Sequence, residues 1–346
     1  MTLRGVLLGA GNIAQYGHLP AYATVSDGGN RCRLVAAADF CEENLGRVAT
    51  LVPGIKTYTS VDQLLEEVRP DFVDICAPPH AHRDLIEQSI AAGCHILCEK
   101  PLSLTLADAS YLAGSLRNAP LVFMPGHQYH YAPAWQSVTS AIRAGSIGTV
   151  RFGSVTIERQ QANDGNTHWN PAWRTCGAFS GGGILMDHGT HLFYQLRAVF
   201  GEPIRIAACV ETRRHLAYEV EDTACCYLDF GKALVRINLT WAASRRRTVH
   251  RYLGTSGQIA SDEASVELIN STGARTLCAS AGFSADSSHA GWYAPLLRDF
   301  LGRIERMDLN REPLDEAVAT LRCISAAYES AASGRPVELA ATTELA

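Results

Sequence analysis

Residues 181–194 read GGGILMDHGTHLFY, three glycines running into an apolar segment that carries Asp187, His188 and His191. A carboxylate and imidazoles this close can hold a metal, exchange a proton with a substrate, or simply decorate a helix. On a helix, Asp187 and His191 are four residues apart and project from one face, while Asp187 and His188 point about 100° apart. His188-x-x-His191 and His127-x-x-His130 have the same spacing, but neither pair brings a cysteine or a convincing third ligand, so no metal is expected. His188 is expected at the back of the helix. Lys100 is the other residue that invites a chemical role. Only Lys56, Lys100 and Lys232 are lysines among the 30 lysines and arginines, and Lys100 lies in Glu99–Lys100–Pro101 at the end of an apolar run. The arginine excess, with the high alanine content, fits mutational bias in a GC-rich bacterial genome.

These residues need elements to position them. In residues 1–125, apolar runs at 5–11, 33–40, 72–79, 95–101 and 121–126 alternate with helix-like segments at 60–70, 82–93 and 105–116. Strands apolar on both faces and separated by helices imply a doubly wound parallel sheet. Later strand-like runs at 150–160, 204–213, 222–230, 233–243 and 265–270 follow one another with few helices between, which favours antiparallel pairing. The fold class expected is therefore α/β, an N-terminal Rossmann sheet over 1–125, followed by an α+β domain over 126–346 with an open, mainly antiparallel sheet.

The first run ends in Gly9–Ala10–Gly11–Asn12–Ile13–Ala14, which fits G-x-G-x-x-(G/A). The first glycine makes a tight turn, the second lets a pyrophosphate approach the backbone, and the small last residue packs helix on strand. Free N–H groups at the following helix N-terminus then favour the phosphates. Placed after a strand and inside an α/β alternation, the motif points to a dinucleotide. Asp39 is the expected ribose acid; it comes late because the loop 26–31 is rich in turn formers. A carboxylate there, with no basic residue until Arg47, favours NAD over NADP. Gly9, Gly11, Asn12, Ile13, Asp39, Ala77, Pro78, Glu99 and Lys100 are the expected cofactor contacts, the two prolines of Ala77–Pro78–Pro79 making a rigid wall that lacks N–H donors.

GAGNIA, Glu99–Lys100–Pro101 and GGGILMDHGTH in that order resemble the Gfo/Idh/MocA family, the sugar and cyclitol oxidoreductases related to glucose–fructose oxidoreductase and inositol 2-dehydrogenase. The helix start at His82, the turn 145–150, Trp173–Arg174, the stretch 253–259 and the segment 319–337 extend the resemblance over nearly the whole chain. It implies an NAD(H)-dependent enzyme that interconverts a secondary alcohol and a ketone on a sugar or cyclitol. Lys100, Asp187 and His191 match the family's catalytic positions: Lys100 would stabilise the developing alkoxide, His191 take the proton, and Asp187 orient the substrate or share the proton. Expected substrate contacts are His127, Gln128 and Tyr129 after the sixth strand, and Asn163, His168, Trp169 and Arg174 in the loop 161–175, with His289 and Trp292 as weaker candidates. Tryptophan and amides suit a polyol, with its apolar C–H faces and many hydroxyls. A homodimer or homotetramer is implied by the family alone. The competing readings are a non-catalytic dinucleotide sensor or co-regulator, which should lose the lysine or histidine, and a reductase of a non-sugar substrate.

Composition narrows the rest. With 346 residues, 47% apolar and 19% charged, the chain reads as a globular protein of two domains. A net charge of −5 gives no reason to expect nucleic acid, and Arg245–Arg246–Arg247 reads as a solvated strand end or salt-bridge partner. No apolar run is long enough to span a bilayer. The apolar N-terminus is needed as a strand rather than a signal peptide, so a cytoplasmic location and no membrane partner are expected. Eleven cysteines in no framework spacing read as buried free thiols.

Overall fold

The computed structural model describes residues 2–26, 28–162, 172–262, 265–279 and 289–339. By internal contacts the chain divides into two compact units, Met1–Tyr131 with Ser288–Ala319, and Ala132–Ser287 with Thr320–Ala346. The break expected between 125 and 126 falls a few residues later here, and a stretch from late in the sequence joins the N-terminal unit.

In the first unit, β1 (Leu3–Leu8), β2 (Cys32–Ala38), β3 (Lys56–Tyr58), β4 (Phe72–Ile75), β5 (His95–Glu99) and β6 (Phe123–Gly126) pair in parallel in the order β3-β2-β1-β4-β5-β6. This is the order of a doubly wound dinucleotide-binding sheet. Its central strands are apolar on both faces because helices cover both: Val6, Leu7, Leu8, Phe72, Val73, Ile75, Ile96 and Leu97 are fully buried. Short β3, mostly exposed, has no apolar run to announce it. The helices α1 (Leu19–Val25), α2 (Glu42–Leu51), α3 (Val61–Val68), α4 (His82–Ala91) and α5 (Leu106–Asn118) lie between the strands. Ser60 and Thr105 start α3 and α5 by accepting the N–H of Gln63 and Asp108. A later helix, α9 (Ala290–Arg306), joins this core, since Leu296, Leu297, Phe300, Leu301 and Ile304 pack in the same cluster as Tyr22, Val25 and Phe72. Each such side chain contributes about 1.5–3 kcal/mol by leaving water. Phe300 meets Phe72 edge to face at 5.7 Å.

The second unit contains α6 (Pro133–Arg143), β7 (Val150–Glu158), α7 (Gly177–Ser180), α8 (Thr190–Phe200), β8 (Arg205–Glu211), β9 (Thr223–Asp229), β10 (Leu234–Thr240), β11 (Arg247–Gly254), β12 (Gly257–Ser261), β13 (Ser265–Asn270), β14 (Gly273–Ala279) and β15 (Val337–Glu338). Helix α10 (Glu312–Ser333) runs from the first unit into the second at Ala319/Thr320. The nine-stranded sheet has the order β14-β13-β12-β11-β7-β10-β9-β8-β15 and is antiparallel except where β7 and β10 run parallel. One face is buried: Val155 and Ile157, Ala224, Cys226 and Leu228, and Val235, Ile237 and Leu239 alternate with more exposed polar residues. Arg247 starts β11, and Arg245 lies 3.5 Å from Glu158, so the arginine cluster is a strand end with an ion-pair partner.

Two expectations need correction. Asp187 and His191 do not share one α-helix. Leu185–Gly189 is a π-helical turn, and α8 starts only at Thr190. The cysteines are free, but Cys209 is exposed and Cys41, Cys176, Cys225 and Cys278 are half-buried, leaving six in the core.

The glycine triplet has a packing reason. Gly181 ends α7 in the left-handed region at φ 75°. A Cβ on Gly182 would lie 2.1 Å from the Tyr328 hydroxyl oxygen, and one on Gly183 1.8 Å from the Glu221 carbonyl oxygen. The backbone presses so close because the half-buried Glu221 carboxylate accepts the N–H groups of Gly183 (2.8 Å) and Leu185 (3.0 Å) and the Tyr328 hydroxyl (2.9 Å). The Gly183→Ala variant is expected to lose about 3 kcal/mol through this clash with backbone, measured as a lowered melting temperature by calorimetry. A wild-type melting temperature would contradict the packing.

Candidate active site

The residues expected to contact the cofactor gather at the C-terminal edge of the parallel sheet. Gly9 has φ 97°, and a Cβ there would stand 2.5 Å from the Ala77 nitrogen, so only glycine lets the turn pass beneath the loop that follows β4. Above Gly11 no atom lies within 4 Å of a Cβ position, the open approach a pyrophosphate needs. The chain then enters a π-helical turn, Ala14–His18, before α1. Asn12 Oδ1 is buried and has no hydrogen-bond partner among the described residues, an acceptor that suits a donor from a bound ligand. Asp39 closes the end of β2: its carboxylate accepts the Ala10 N–H at 2.7 Å and the Cys41 N–H at 2.8 Å. The acid expected on a ribose is thus already oriented against the glycine turn by two backbone donors. Ala77 and Pro78 stand half-buried after β4. Buried His82 ties that loop to the next, its ring nitrogens 2.9 Å from Ala77 O and 2.8 Å from Pro101 O. Burial holds this imidazole below its ordinary range, with the two carbonyls opposing the shift.

Glu99 ends β5, and Lys100 follows it in a cis peptide to Pro101. The Glu99 carboxylate is buried. Its Oε2 accepts the Lys100 backbone N–H at 3.1 Å; Oε1 accepts the Tyr293 hydroxyl at 2.6 Å and lies 3.0 Å from His18 Nε2. The other nitrogen of His18 is 2.7 Å from Asp74 Oδ2. Burial alone would push His18 down, but the Asp74 charge overrides it and holds the imidazole well above its ordinary range. Burial would likewise raise Glu99, yet the bonds from His18 and Tyr293 and the Lys100 charge hold it below the usual carboxylate range.

The residue types and spacings considered in the sequence do not single out His18, Asp74 and Tyr293. An acid inside the apolar run FVDIC and a histidine one turn after the glycine motif were the available signals. Among the described residues, the one His/Cys/Asp/Glu group compact enough for a metal is His18, Asp74 and Cys76. The Cys76 thiol, pushed up to about 12 by burial, donates to Asp74 Oδ1 at 3.5 Å, so these atoms already satisfy one another.

After β6, His127 and Gln128 are 3% and 4% exposed. Tyr129 is half-buried in an aromatic group: its hydroxyl is 3.2 Å from His289 Nε2, and the rings of His289 and Trp292 stack at 3.8 Å.

In the second unit the structure brings Asp187, His188 and Arg174 together. Asp187 Oδ2 lies 3.3 Å from His188 Nδ1 and 3.7 Å from Arg174 Nη1, which also donates to Ala162 O at 3.0 Å. His188 therefore sits beside Asp187 and not at the back of a helix. The π-helical turn alters the angular step that an α-helix would impose on neighbouring side chains. Asp187 keeps 16% of its side chain exposed, whereas His191 in α8 is buried. Asn163, His168 and Trp169 lie outside the described residues.

Residues 3–127 match the family described as "Oxidoreductase family, NAD-binding Rossmann fold", and residues 135–260 match the "GFO/IDH/MocA C-terminal domain". The chain belongs to the Gfo/Idh/MocA family. It is an oxidoreductase with an NAD-binding Rossmann domain. It is 29% identical to D-apiose dehydrogenase of Paraburkholderia graminis over 97% of this chain and 89% of that one. Myo-inositol 2-dehydrogenase of Thermotoga maritima is 25% identical over 70% of this chain and 72% of its own. The fold matches levoglucosan dehydrogenase solved with NADH and levoglucosan, at TM-score 0.86 and 20% identity over 99% of this chain and 100% of that one. Among the described residues no helix is long and apolar enough to cross a membrane.

For this family member, the geometry at Asp39 generates a measurable expectation. Asp39→Ala removes a carboxylate that orders the glycine turn and would meet a ribose, so NAD affinity should fall about tenfold or more, the scale of a hydrogen bond to a charged group. NADP, whose phosphate that carboxylate repels, should lose less. Titration calorimetry with both dinucleotides checks this, and tighter binding of NADP than NAD by the wild type would contradict the role given to Asp39.

Proposed function

We propose that this protein is an NAD(H)-dependent dehydrogenase or ketoreductase that interconverts a secondary alcohol and a ketone on a sugar or cyclitol. The observation that carries the reading is Lys100, placed directly after a buried carboxylate at the C-terminal end of β5 in an NAD-binding sheet. Relatives named for D-apiose, D-glucoside and myo-inositol support the substrate class. When bound, nicotinamide supplies the hydride-accepting chemistry.

The residues of this chain supply the remainder. The Lys100 ammonium donates to the reacting oxygen and stabilises charge as an alkoxide develops. His191 accepts the hydroxyl proton in oxidation and returns it in reduction, the task for which imidazole is suited near neutral pH. Asp187 orients a substrate hydroxyl. Its neighbours Arg174 and His188 lie against the carboxylate and hold it in place. Asp39 favours NAD over NADP by its charge. A homodimer or homotetramer forms part of this proposal, with light scattering as its check. Retention of Lys100, Asp187 and His191 together favours an enzyme over a dinucleotide sensor.

A screen for NAD reduction against inositols, aminocyclitols, hexoses and their nucleotide-linked forms tests the reaction. Lys100→Met should lower kcat by about 10²–10⁴-fold with NAD binding retained; full turnover by this variant would remove Lys100 from the chemistry.

A further inference from the structure

We propose that His18, Asp74 and Tyr293 are positioning residues for Lys100: an imidazolium clamped between two buried carboxylates, with a tyrosine hydroxyl on one of them, fixes Glu99 and through it the backbone from which Lys100 projects. The proposal rests on the role given above to Lys100.

The geometry is closed on every side. His18 and Asp74 are 0% exposed, and each ring nitrogen of His18 meets a carboxylate oxygen, at 2.7 Å and 3.0 Å. Neutral imidazole has one donor and would leave a lone pair facing a carboxylate; imidazolium satisfies both contacts. Tyr293, from α9, donates to Glu99 and packs its ring, tilted by 43°, against that of His18 with centroids 4.2 Å apart. Glu99 is therefore held through Oε1 by two side chains from different parts of the sequence, while its Oε2 takes the Lys100 N–H. A buried ion cluster is a poor route to stability, because apolar replacements of similar volume are often neutral or better. Specification of a geometry is what such a cluster offers, and this one ends at the residue that carries the reactive amine.

Charges near the cluster leave few groups free to titrate. Cys76 on β4 is pushed up to about 12, and Cys98 on β5, Tyr22 on α1 and Tyr293 on α9 are pushed up by burial, so all four stay neutral around pH 7. His82 at the start of α4 is pushed down and stays neutral as well. The Lys100 charge acts on Glu99 as well and lowers it. Because Glu99 is held below its ordinary range, its contribution is present above the unfolded-state value and is lost as pH falls through the folded value.

Tyr293→Phe keeps the ring and removes the donor. It should lower kcat about tenfold, leave KM and the NAD dissociation constant within about twofold, and move the acid limb of the kcat profile for ketone reduction, the direction in which protonated His191 is the competent form, to higher pH as Glu99 protonates more readily. Glu99→Gln stands in for protonated Glu99 at every pH, and should lower kcat at least as far and flatten that limb. Cooperative melting of each variant, shifted upward by NAD, shows that it is folded. An acid limb unmoved in Tyr293→Phe and retained in Glu99→Gln overturns the proposal, since a structural role alone would change the amount of active protein and not the profile. A measurement on the wild type stands apart from turnover: nitrogen–proton NMR of the imidazoles should find both His18 nitrogens still protonated at a pH where exposed imidazoles have lost a proton. A singly protonated His18 there overturns the proposal even if the variants fail to fold. If no polyol reduces NAD, the proposed reaction falls, while the NMR result still decides the network.

Discussion

The constraint on which the first unit depends is the burial of Glu99 as a carboxylate. A charge removed from water costs several kcal/mol unless it is paired and hydrogen-bonded. Its partners come from three places in the chain: His18 from the turn after the glycine motif, Tyr293 from α9, and the backbone of Lys100 itself. Satisfying this one group ties the start of the sequence, the fifth strand and a helix nearly two hundred residues further on into one geometry. That helix packs on the sheet with the apolar cluster of Phe300, Leu297 and Leu301, so the core energy and the polar network select the same placement.

The second unit solves a local problem with the same device. Glu221 is half-buried, and its desolvation raises its carboxyl despite the bonds from Gly183, Leu185 and Tyr328. Those bonds draw the glycine triplet against β9 and α10 and set where the turn carrying Asp187 begins. The glycines are thus present first for close packing. Their contribution to chemistry is indirect, through the position of Asp187 and its Arg174 and His188 neighbours.

Much of this architecture is legible in the sequence, and the reasons are physical. Strands buried on both faces must be continuous apolar runs, so β1, β2, β4, β5 and β6 announce themselves; β3, with exposed side chains, cannot. In the second unit the clean alternation of β7, β9 and β10 is visible because one face is covered and the other more polar. Strands β11 and β14 carry mainly half-buried or exposed residues and give no such signal. The glycine turn and Asp39 are legible because their geometry is local. His18, Asp74 and Tyr293 are not, because their significance lies in contacts over 56 to 194 positions of separation, which no spacing rule encodes. The burial of His127 and Gln128 has the same origin, since periodicity places them after a strand but does not say what covers them.

Both glycine motifs lead into π-helical turns, Ala14–His18 and Leu185–Gly189, and both turns carry a histidine. A π turn inserts one residue into helical geometry and changes the direction in which its side chains leave the axis, which is why such turns recur at functional positions. In the first, the altered turn aims His18 into the sheet, between acids on β4 and β5. In the second, it brings His188 within 3.3 Å of the carboxylate of its neighbour Asp187, where α-helical geometry would set the two about 100° apart. The spacing rules that pair Asp187 with His191 assume a helix of uniform pitch. Where the pitch changes, the neighbour that supports the acid is the adjacent residue, and the local break in regularity is what makes the arrangement of Asp187, His188 and Arg174 possible.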